Sequence, residues 1–331
     1  MAVNTPTYTR RSQPTLATAL ALLGKYGTIA GLVLMIGVFS AVSPELFPTR
    51  SNLVNILSQI SLTAIIAGGL TLPLVVGEFD LSIGSMASLA GVLATGFLVN
   101  QHLPLLVAVV AVVLVGALGG LINGLIVTKA GVNALIATLG SGTILTGINY
   151  AYSSGRPIAL GLPEEFLQIS QGSVLGISNT ILIMVVVLAL LWLLLNQTDV
   201  GQQLQAAGGN AEAARLSGIR VDRAKIMAFA VSGTCAALTG LLLASRIGSG
   251  QITAGEGYTL DAFAAGFLGS AALRDGEFHV LGTLIGVLTV GVGFNGLAIF
   301  GVPTFYQFIF KGGLLIVAVA LSTVARRYGK A

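Results

Sequence analysis

Apolar runs of about 17 to 25 residues, separated by short polar segments, recur along this chain. A run of that length is what an α-helix needs to cross a hydrocarbon core roughly 30 Å thick. The composition agrees, because 55% of the 331 residues are hydrophobic and only 8% are charged, whereas soluble domains carry about 25% charged residues. A chain this apolar lacks the polar surface to coat a water-soluble body. We therefore predict an all-α, polytopic membrane protein.

The hydropathy pattern predicts about ten membrane-spanning helices. They fall at residues 27–43, 52–76, 81–99, 104–127, 133–152, 176–195, 224–246, 259–273, 280–299 and 303–324. The eighth run is short, and a half-helix or a tilted partial crossing also fits it. A cytoplasmic segment at 1–26 and a cytoplasmic tail at 325–331 flank the transmembrane domain at 27–324. The first run is interpreted as an uncleaved span, because no clear small-residue cleavage site follows it.

Basic residues indicate the orientation. With a cytoplasmic N-terminus and ten crossings, twelve of the sixteen Lys and Arg lie on inside loops. Only Arg50, Arg156 and Arg246 lie outside, and Lys311 falls within the last span. This positive-inside bias predicts that both termini are cytoplasmic. It also explains the net charge of +4 without nucleic-acid binding.

Two weak internal echoes suggest that the chain has two related halves. Residues 77–81 (GEFDL) resemble 255–259 (GEGYT), and 123–125 (NGL) is repeated at 295–297. Five spans in each half would make the second half enter the membrane from the opposite face. Inverted repeats of this kind are typical of transporters, although short Gly-rich matches also arise by chance in apolar sequence.

The longest cytoplasmic loop, 196–223, contains one short helix with clear end signals. Asn210 suits an N-cap, Glu212 lies in the first turn, Arg215 lies in the last turn, and Gly218 is a natural stop. A helix of two turns is unstable alone in water, so it must pack against something. It is either an ordinary structured loop on its own membrane domain or a docking element for a cytoplasmic partner.

Residues 208–219 (GGNAEAARLSGI) resemble the cytoplasmic signature of permease subunits of ribose-type bacterial ABC importers for simple sugars. Residues 78–85 (EFDLSIGS) are similar to a second motif of that family, and the 295–297 region to a third. Together the motifs cover about residues 50 to 324 in the family's order. The segment 269–279 departs from the family's paired glycines with small hydroxyl residues, so the resemblance does not identify the sugar as ribose.

The resemblance implies a permease that translocates a pentose or hexose by alternating access in the bacterial inner membrane. Its implied partners are a second permease copy, two cytoplasmic ATPase domains and a periplasmic sugar-binding protein. The cytoplasmic loop would form a coupling helix in a cleft of the ATPase. The residues expected to make or shape that contact are Asn210, Glu212, Ala213, Arg215, Leu216 and Gly218. The outside loop from 153 to 173, with Arg156, Glu164 and Glu165, is expected to meet the binding protein.

Several patterns are missing from the sequence. None of the five lysines precedes Ser or Thr, so there is no phosphate-binding G-x-x-x-x-G-K-[ST] loop. We therefore expect ATP and Mg²⁺ to bind the partner ATPase, and no cofactor to bind this chain. Two His and one Cys disfavour a transition-metal site. No catalytic constellation stands out, so the chain is predicted not to be an enzyme.

A sugar path needs weak hydrogen-bonding groups. The candidates are Asn123, Asn133, Thr138, Thr143, Asn149, Asn295 and Gln307, although intramembrane Asn and Thr more often bond neighbouring helices. Gly stripes at 116, 120 and 124 and at 282 and 286 are interpreted as close-packing surfaces, and Cys235 as a small core residue.

Four charged residues in or near the spans also need an account. Asp80 is interpreted as the N-cap of a helix starting at Leu81, and Glu78 as lying in interfacial water. Asp261 begins the eighth span, and Lys311 either snorkels or pairs with an unidentified acid. An ion-coupled secondary transporter is the alternative function, and it needs an acid buried in mid-membrane. No carboxylate in the sequence lies clearly there.

Overall fold

The computed structural model describes residues 16–272 and 276–328. Within those residues the chain forms thirteen helices and one short hairpin. The helices are α1 (Leu16–Val42), α2 (Arg50–Val75), α3 (Ile83–Val99), α4 (Leu105–Lys129), α5 (Ala134–Ser153), α6 (Glu164–Gln171), α7 (Asn179–Gln197), α8 (Asp199–Gly209), α9 (Ala211–Leu216), α10 (Val221–Ile247), α11 (Glu256–Ser270), α12 (Val280–Ile299) and α13 (Thr304–Tyr328). The hairpin pairs β1 (Ser173–Val174) with β2 (Ile177–Ser178).

Every predicted span contains a helix. Five helices, α2, α4, α7, α10 and α12, are long and apolar enough to cross a membrane, and shorter apolar helices accompany them. The prediction of an all-α polytopic membrane protein is confirmed at this level. The described residues do not include Arg10, Arg11 and Arg274, which are predicted to lie on inside loops, or the final residues of the tail.

Helix α10 lies at the centre of the bundle and packs against α2, α3 and α4. Its contact with α4 runs along Gly116, Gly120 and Gly124, as the glycine stripe predicts. A Cβ built on Gly120 would lie 2.7 Å from the carbonyl carbon of Phe229. Only glycine therefore allows the two backbones to approach this closely.

A second close contact joins α11 to α12. Gly282 and Gly286 of α12 face the backbone of Gly269 and Ala265 of α11. The 15-residue α11 is about 22 Å long, which is shorter than a full hydrocarbon core. The eighth predicted span is therefore a short helix, as its sequence indicates.

The starts of α3 and α11 lie against each other. A Cβ on Gly84 would lie 2.9 Å from the carbonyl oxygen of Gly255. The backbone N–H of Gly255 donates to Oγ of Ser88 at 2.9 Å. The segment between α10 and α11 thus runs back along α3 before α11 begins.

Residues 164–178 form a helix and a hairpin where the sequence predicts an outside loop at 153–173 and a span starting at 176. Helix α6 is fixed to α10, because Oγ of Ser245 donates to the carbonyl of Phe166 at 2.6 Å and the side chain of Phe166 is fully buried. The hairpin turn contains Leu175 and Gly176, both with positive φ. An apolar pattern that repeats every 3.6 residues cannot reveal a hairpin whose strands have two residues each.

Candidate coupling site and polar interior

The loop between α7 and α10, which the sequence predicts to be cytoplasmic, consists of two helices. Oγ1 of Thr198 accepts the N–H of Gly201 at 3.1 Å and caps α8. Leu204 and Ala207 of α8 are buried. At its end, Gly208 lies against the last turn of α2, where a built Cβ would come 3.2 Å from Cα of Val76 and closer still to the Val75 carbonyl. The loop is thereby packed on the transmembrane bundle.

Helix α9 has the end signals that the sequence indicates. Oδ1 of Asn210 accepts the N–H groups of Glu212 at 3.1 Å and Ala213 at 3.0 Å, which confirms Asn210 as the N-cap. Beyond the helix, Gly218 has a φ of +85°, which favours glycine. Ala214 is buried against the domain. Helix α9 spans only Ala211–Leu216. The sequence pattern predicts one short helix in this loop and does not predict α8, which precedes α9.

The outer side of α9 faces solvent. Glu212, Ala213 and Arg215 are exposed, and Leu216 is 86% exposed. This exposure leaves the outer side of α9 accessible to a partner, which a docking element requires.

Three exposed charges connect α9 to the bundle. Asp222, in the first turn of α10, accepts from Lys129 of α4 at 3.0 Å and from Arg215 at 3.5 Å. Each exposed pair is worth at most about 1 kcal/mol. The cluster therefore orients Arg215 without immobilising it.

A polar network lies inside the bundle around Asp80, in the segment between α2 and α3. Oδ1 of Asp80 accepts the backbone N–H of Ser82 at 3.1 Å and its hydroxyl at 2.6 Å. Oδ2 accepts the hydroxyl of Ser232 on α10 at 2.8 Å. Nδ2 of Asn123 on α4 donates to Oγ of Ser82 at 2.9 Å. All four residues are buried, and Asp80 has no exposed surface.

The structure corrects the predicted roles of Asp80 and Glu78. Helix α3 begins at Ile83 rather than Leu81, and its N-cap residue is Ser82. Asp80 does bind a backbone N–H at the helix start, but its second oxygen joins the helix to α10. Burial raises the pKa of the Asp80 carboxyl, and hydrogen bonds from Ser82 and Ser232 oppose that rise. Glu78 is not simply in interfacial water, because it forms an ion pair with Lys225 of α10.

Two of the predicted path residues, Asn123 and Thr138, belong to the surroundings of this network. Oγ1 of Thr138, on α5, accepts the N–H of Leu81 at 3.1 Å. It also donates to the carbonyl of Ala134 at 2.7 Å. Both residues are buried. Their side chains join helices, which is the more common role of intramembrane Asn and Thr.

The other candidates are scattered through the domain. Asn295 and Asn52 exchange two amide hydrogen bonds of 2.9 Å. Exposed Asn133 caps α5, while buried Asn149 donates to the Ile252 carbonyl at 2.8 Å. Gln307 is half-buried on α13. Thr143, exposed on α5, donates to a carbonyl of its own helix. The structure therefore does not gather the candidates into a single site.

Lys311 has an acidic partner, which the sequence analysis does not identify. Its Nζ lies 2.5 Å from Oδ1 of Asp261, and both side chains are largely buried. The same Nζ donates to the carbonyl of Gly257 at 3.2 Å. Lys311 on α13 is therefore fixed to α11 and does not snorkel.

The sequence places no carboxylate clearly in mid-membrane, and the structure buries Asp80 completely in the segment between α2 and α3. The residue is surrounded by α4, α10 and the start of α3, and hydroxyl and backbone groups, rather than a cation, satisfy its oxygens. Its partner Ser232 is far along the sequence, so a linear pattern does not reveal the contact.

Comparison with known proteins assigns the chain to a class of membrane permeases. Residues 52–319 match the family model described as the permease component of the branched-chain amino acid transport system. This match covers most of the chain, which therefore belongs to that family of transport permease components. No solved structure matches significantly.

Curated relatives place the chain near sugar permeases within this family. It is 42% identical to the ribose import permease of Haemophilus influenzae, over 87% of this chain and 90% of the relative. It is 39% identical to the ribose import permease of Bacillus subtilis, over 91% and 93%. Identity to the D-allose transport system permease of Escherichia coli K12 is 34%, over 90% and 91%. The resemblance to ribose-type permeases stated from the motifs is confirmed.

Proposed function

We propose that this chain is the permease subunit of an ATP-driven ABC importer that translocates a pentose or hexose. The observation that carries the proposal is α9, a capped helix with Leu216 and Arg215 exposed on its outer side and Ala214 buried on its inner side. Such an element suits a cytoplasmic ATPase that pushes on the membrane domain. The names of the ribose and allose permeases support a sugar as the substrate.

In this proposal the chain crosses the inner membrane ten times, with both termini in the cytoplasm. The positive-inside bias supports that topology. The sequence echoes at 77–81 and 255–259, which lie just before the short helix α3 and at the start of the short helix α11, support two inversely related halves. A second, identical copy of the chain completes the pathway.

The transport cycle would follow from the same geometry. ATP binding closes the two partner ATPase domains, which hold ATP and Mg²⁺ while this chain carries out no chemistry. The movement of the ATPases shifts α8 and α9, and the helices of the bundle reopen on the other face. On the outside, exposed Arg156, Glu164 and Glu165 are available to a sugar-loaded binding protein.

The alternative, an ion-coupled secondary transporter, draws its support from the buried carboxyl of Asp80. Family membership opposes it, because the relatives carry the names of import permease components. In addition, Asp80 accepts three hydrogen bonds from neighbouring groups. These bonds give the carboxylate a structural role without a coupling ion.

Reconstitution into proteoliposomes tests the proposed function. The permease and its ATPase are reconstituted with the ATPase facing the lumen, which contains ATP, and the binding protein is added outside. Uptake of labelled ribose, allose and leucine into the vesicles is then compared. The proposal predicts uptake of a sugar only with ATP and all three components. Uptake by the permease alone under a proton or sodium gradient would contradict it, and uptake of leucine but no sugar would contradict the substrate class.

A further inference from the structure

The segment between α2 and α3, residues 76–82, contacts several helices of the bundle. Thr138 of α5 accepts the N–H of Leu81, and Ser232 of α10 donates to Asp80. Asn123 of α4 donates to Ser82. The segment is therefore held by three separate helices through side chains that belong to the bundle interior.

Aromatic contacts extend the connection to a fourth helix. The ring of Phe79 stacks on Phe263 of α11, with 6.0 Å between centroids, and on Phe267, with 6.3 Å. Stacked aromatic pairs of this kind contribute beyond the area they bury. Through Phe79, the segment touches the half of the chain that contains α11, α12 and α13.

On its cytoplasmic side the same segment meets the α8–α9 loop. The end of α8 touches it directly, because Gly208 lies against Val75 and Val76. Glu78 forms an ion pair with Lys225 in the second turn of α10. Asp222, in the first turn of the same helix, forms an ion pair with Arg215 of α9. A displacement of the loop relative to α2 must move this segment or break these contacts, since packed elements shift between discrete arrangements rather than deform.

We infer that Val76–Ser82 is the relay through which α8 and α9 drive the transmembrane helices, with Asp80 and Ser232 as its positioning residues. This inference rests on the proposed function. In this inference Asp80 acts through its hydrogen-bonded neighbours Ser82, Ser232 and Asn123. Its carboxylate joins the start of α3 to α10, so that α3, α4 and α10 respond together to a movement at Gly208.

Two adjacent glycines provide the sharpest test at the cytoplasmic end. In Gly208→Ala, the new Cβ overlaps the backbone of Val75 and pushes α8 away from α2. In Gly209→Ala, the matched control, a Cβ meets no atom within 4 Å. The residues of α9 remain intact in both variants, so the partner ATPase should still co-purify with each.

A second pair tests the interior end. Ser232→Ala removes one hydrogen bond to the Asp80 carboxylate, whereas Thr234→Val removes a hydroxyl that bonds only the Ala230 carbonyl of its own helix. A hydrogen bond to a charged group is worth enough to change a conformational equilibrium about tenfold or more. Asp80→Asn keeps one acceptor oxygen and is expected to retain part of the transport that Asp80→Ala loses.

The measurement is the number of sugar molecules taken up per ATP hydrolysed in proteoliposomes that contain the complete importer. We expect this ratio to fall about tenfold in Gly208→Ala and Ser232→Ala, while ATPase co-purification and ATP hydrolysis persist. Gly209→Ala and Thr234→Val are expected to match wild type. An unchanged ratio in both Gly208→Ala and Ser232→Ala would overturn the relay. Absence of ATP-driven uptake by wild type would instead refute the proposed function.

Discussion

Lys311 of α13 and Asp261 of α11 form an ion pair in which Nζ and Oδ1 are 2.5 Å apart. The two side chains are only 12% and 18% exposed. Nζ also donates to the carbonyl of Gly257, so the start of α11 is bonded twice to α13. This contact explains how Lys311 can lie in the mostly apolar helix α13, because its charge is paired.

Removing one partner of this pair should destabilise the domain. Lys311→Met leaves the carboxylate of Asp261 buried without its cation, at an expected cost of about 3 kcal/mol. Thermal unfolding of the purified permease in detergent, followed by loss of monodispersity, should therefore show a clearly lower midpoint. The double variant Lys311→Met, Asp261→Leu should recover most of the loss.

The matched control is the exposed pair between Lys129 and Asp222. Lys129→Met removes an ion pair whose side chains are 64% and 37% exposed, so the expected loss is at most about 1 kcal/mol. An equal loss of thermal stability in Lys129→Met and Lys311→Met would show that the burial of the Lys311 pair has no energetic consequence.

The glycine contact between α4 and α10 should not tolerate a methyl group at Gly120. The new Cβ of Gly120→Ala meets the backbone of Phe229 and Ala230, and overpacking of this kind costs about 1–3 kcal/mol. Gly119→Ala is the control, because its Cβ meets only the flexible end of the Met86 side chain. The thermal midpoint should drop in Gly120→Ala and change much less in Gly119→Ala. The reverse order would contradict the helix packing.

The amides of Asn52 and Asn295 should behave as a structural pair. Asn295→Leu and Asn52→Leu should each destabilise the domain, and the double variant should lose less than the sum of the two. A coupling free energy of about 1 kcal/mol is expected for an interhelical hydrogen bond in a membrane protein. If Asn295→Leu changes the preference between ribose and allose and Asn52→Leu does not, Asn295 faces the sugar as the sequence analysis suggests.

The positions of the helices could be predicted from the sequence because burial in a membrane requires long apolar runs. Asn210 and Gly218 could likewise be assigned to the ends of α9, since capping and positive φ restrict residue type locally. The glycine stripe of α4 also has a local signal, because spacing by four places Gly116, Gly120 and Gly124 on one face.

The interior contacts could not be predicted in this way. Hydropathy gives the length of a helix but not the direction in which a given side chain points, so the partners of Asp80 and Lys311 stayed unknown. Ser232 lies 152 positions from Asp80, and Lys311 lies 50 positions from Asp261. The polar path candidates were chosen by residue type alone, and four of the seven bond other segments of the bundle: Asn123, Thr138, Asn149 and Asn295.

Co-purification of the partner ATPase with variants of α9 tests the central claim most directly. Arg215→Glu and Leu216→Glu alter the exposed side of the helix, and Arg223→Glu is the control because Arg223 is exposed at the start of α10 but outside α9. The tagged permease is extracted in detergent, and the retained ATPase is quantified. We predict that wild type and Arg223→Glu retain the ATPase and that the two α9 variants lose most of it. Equal retention by all four proteins, or no ATPase bound to wild type, would contradict the account.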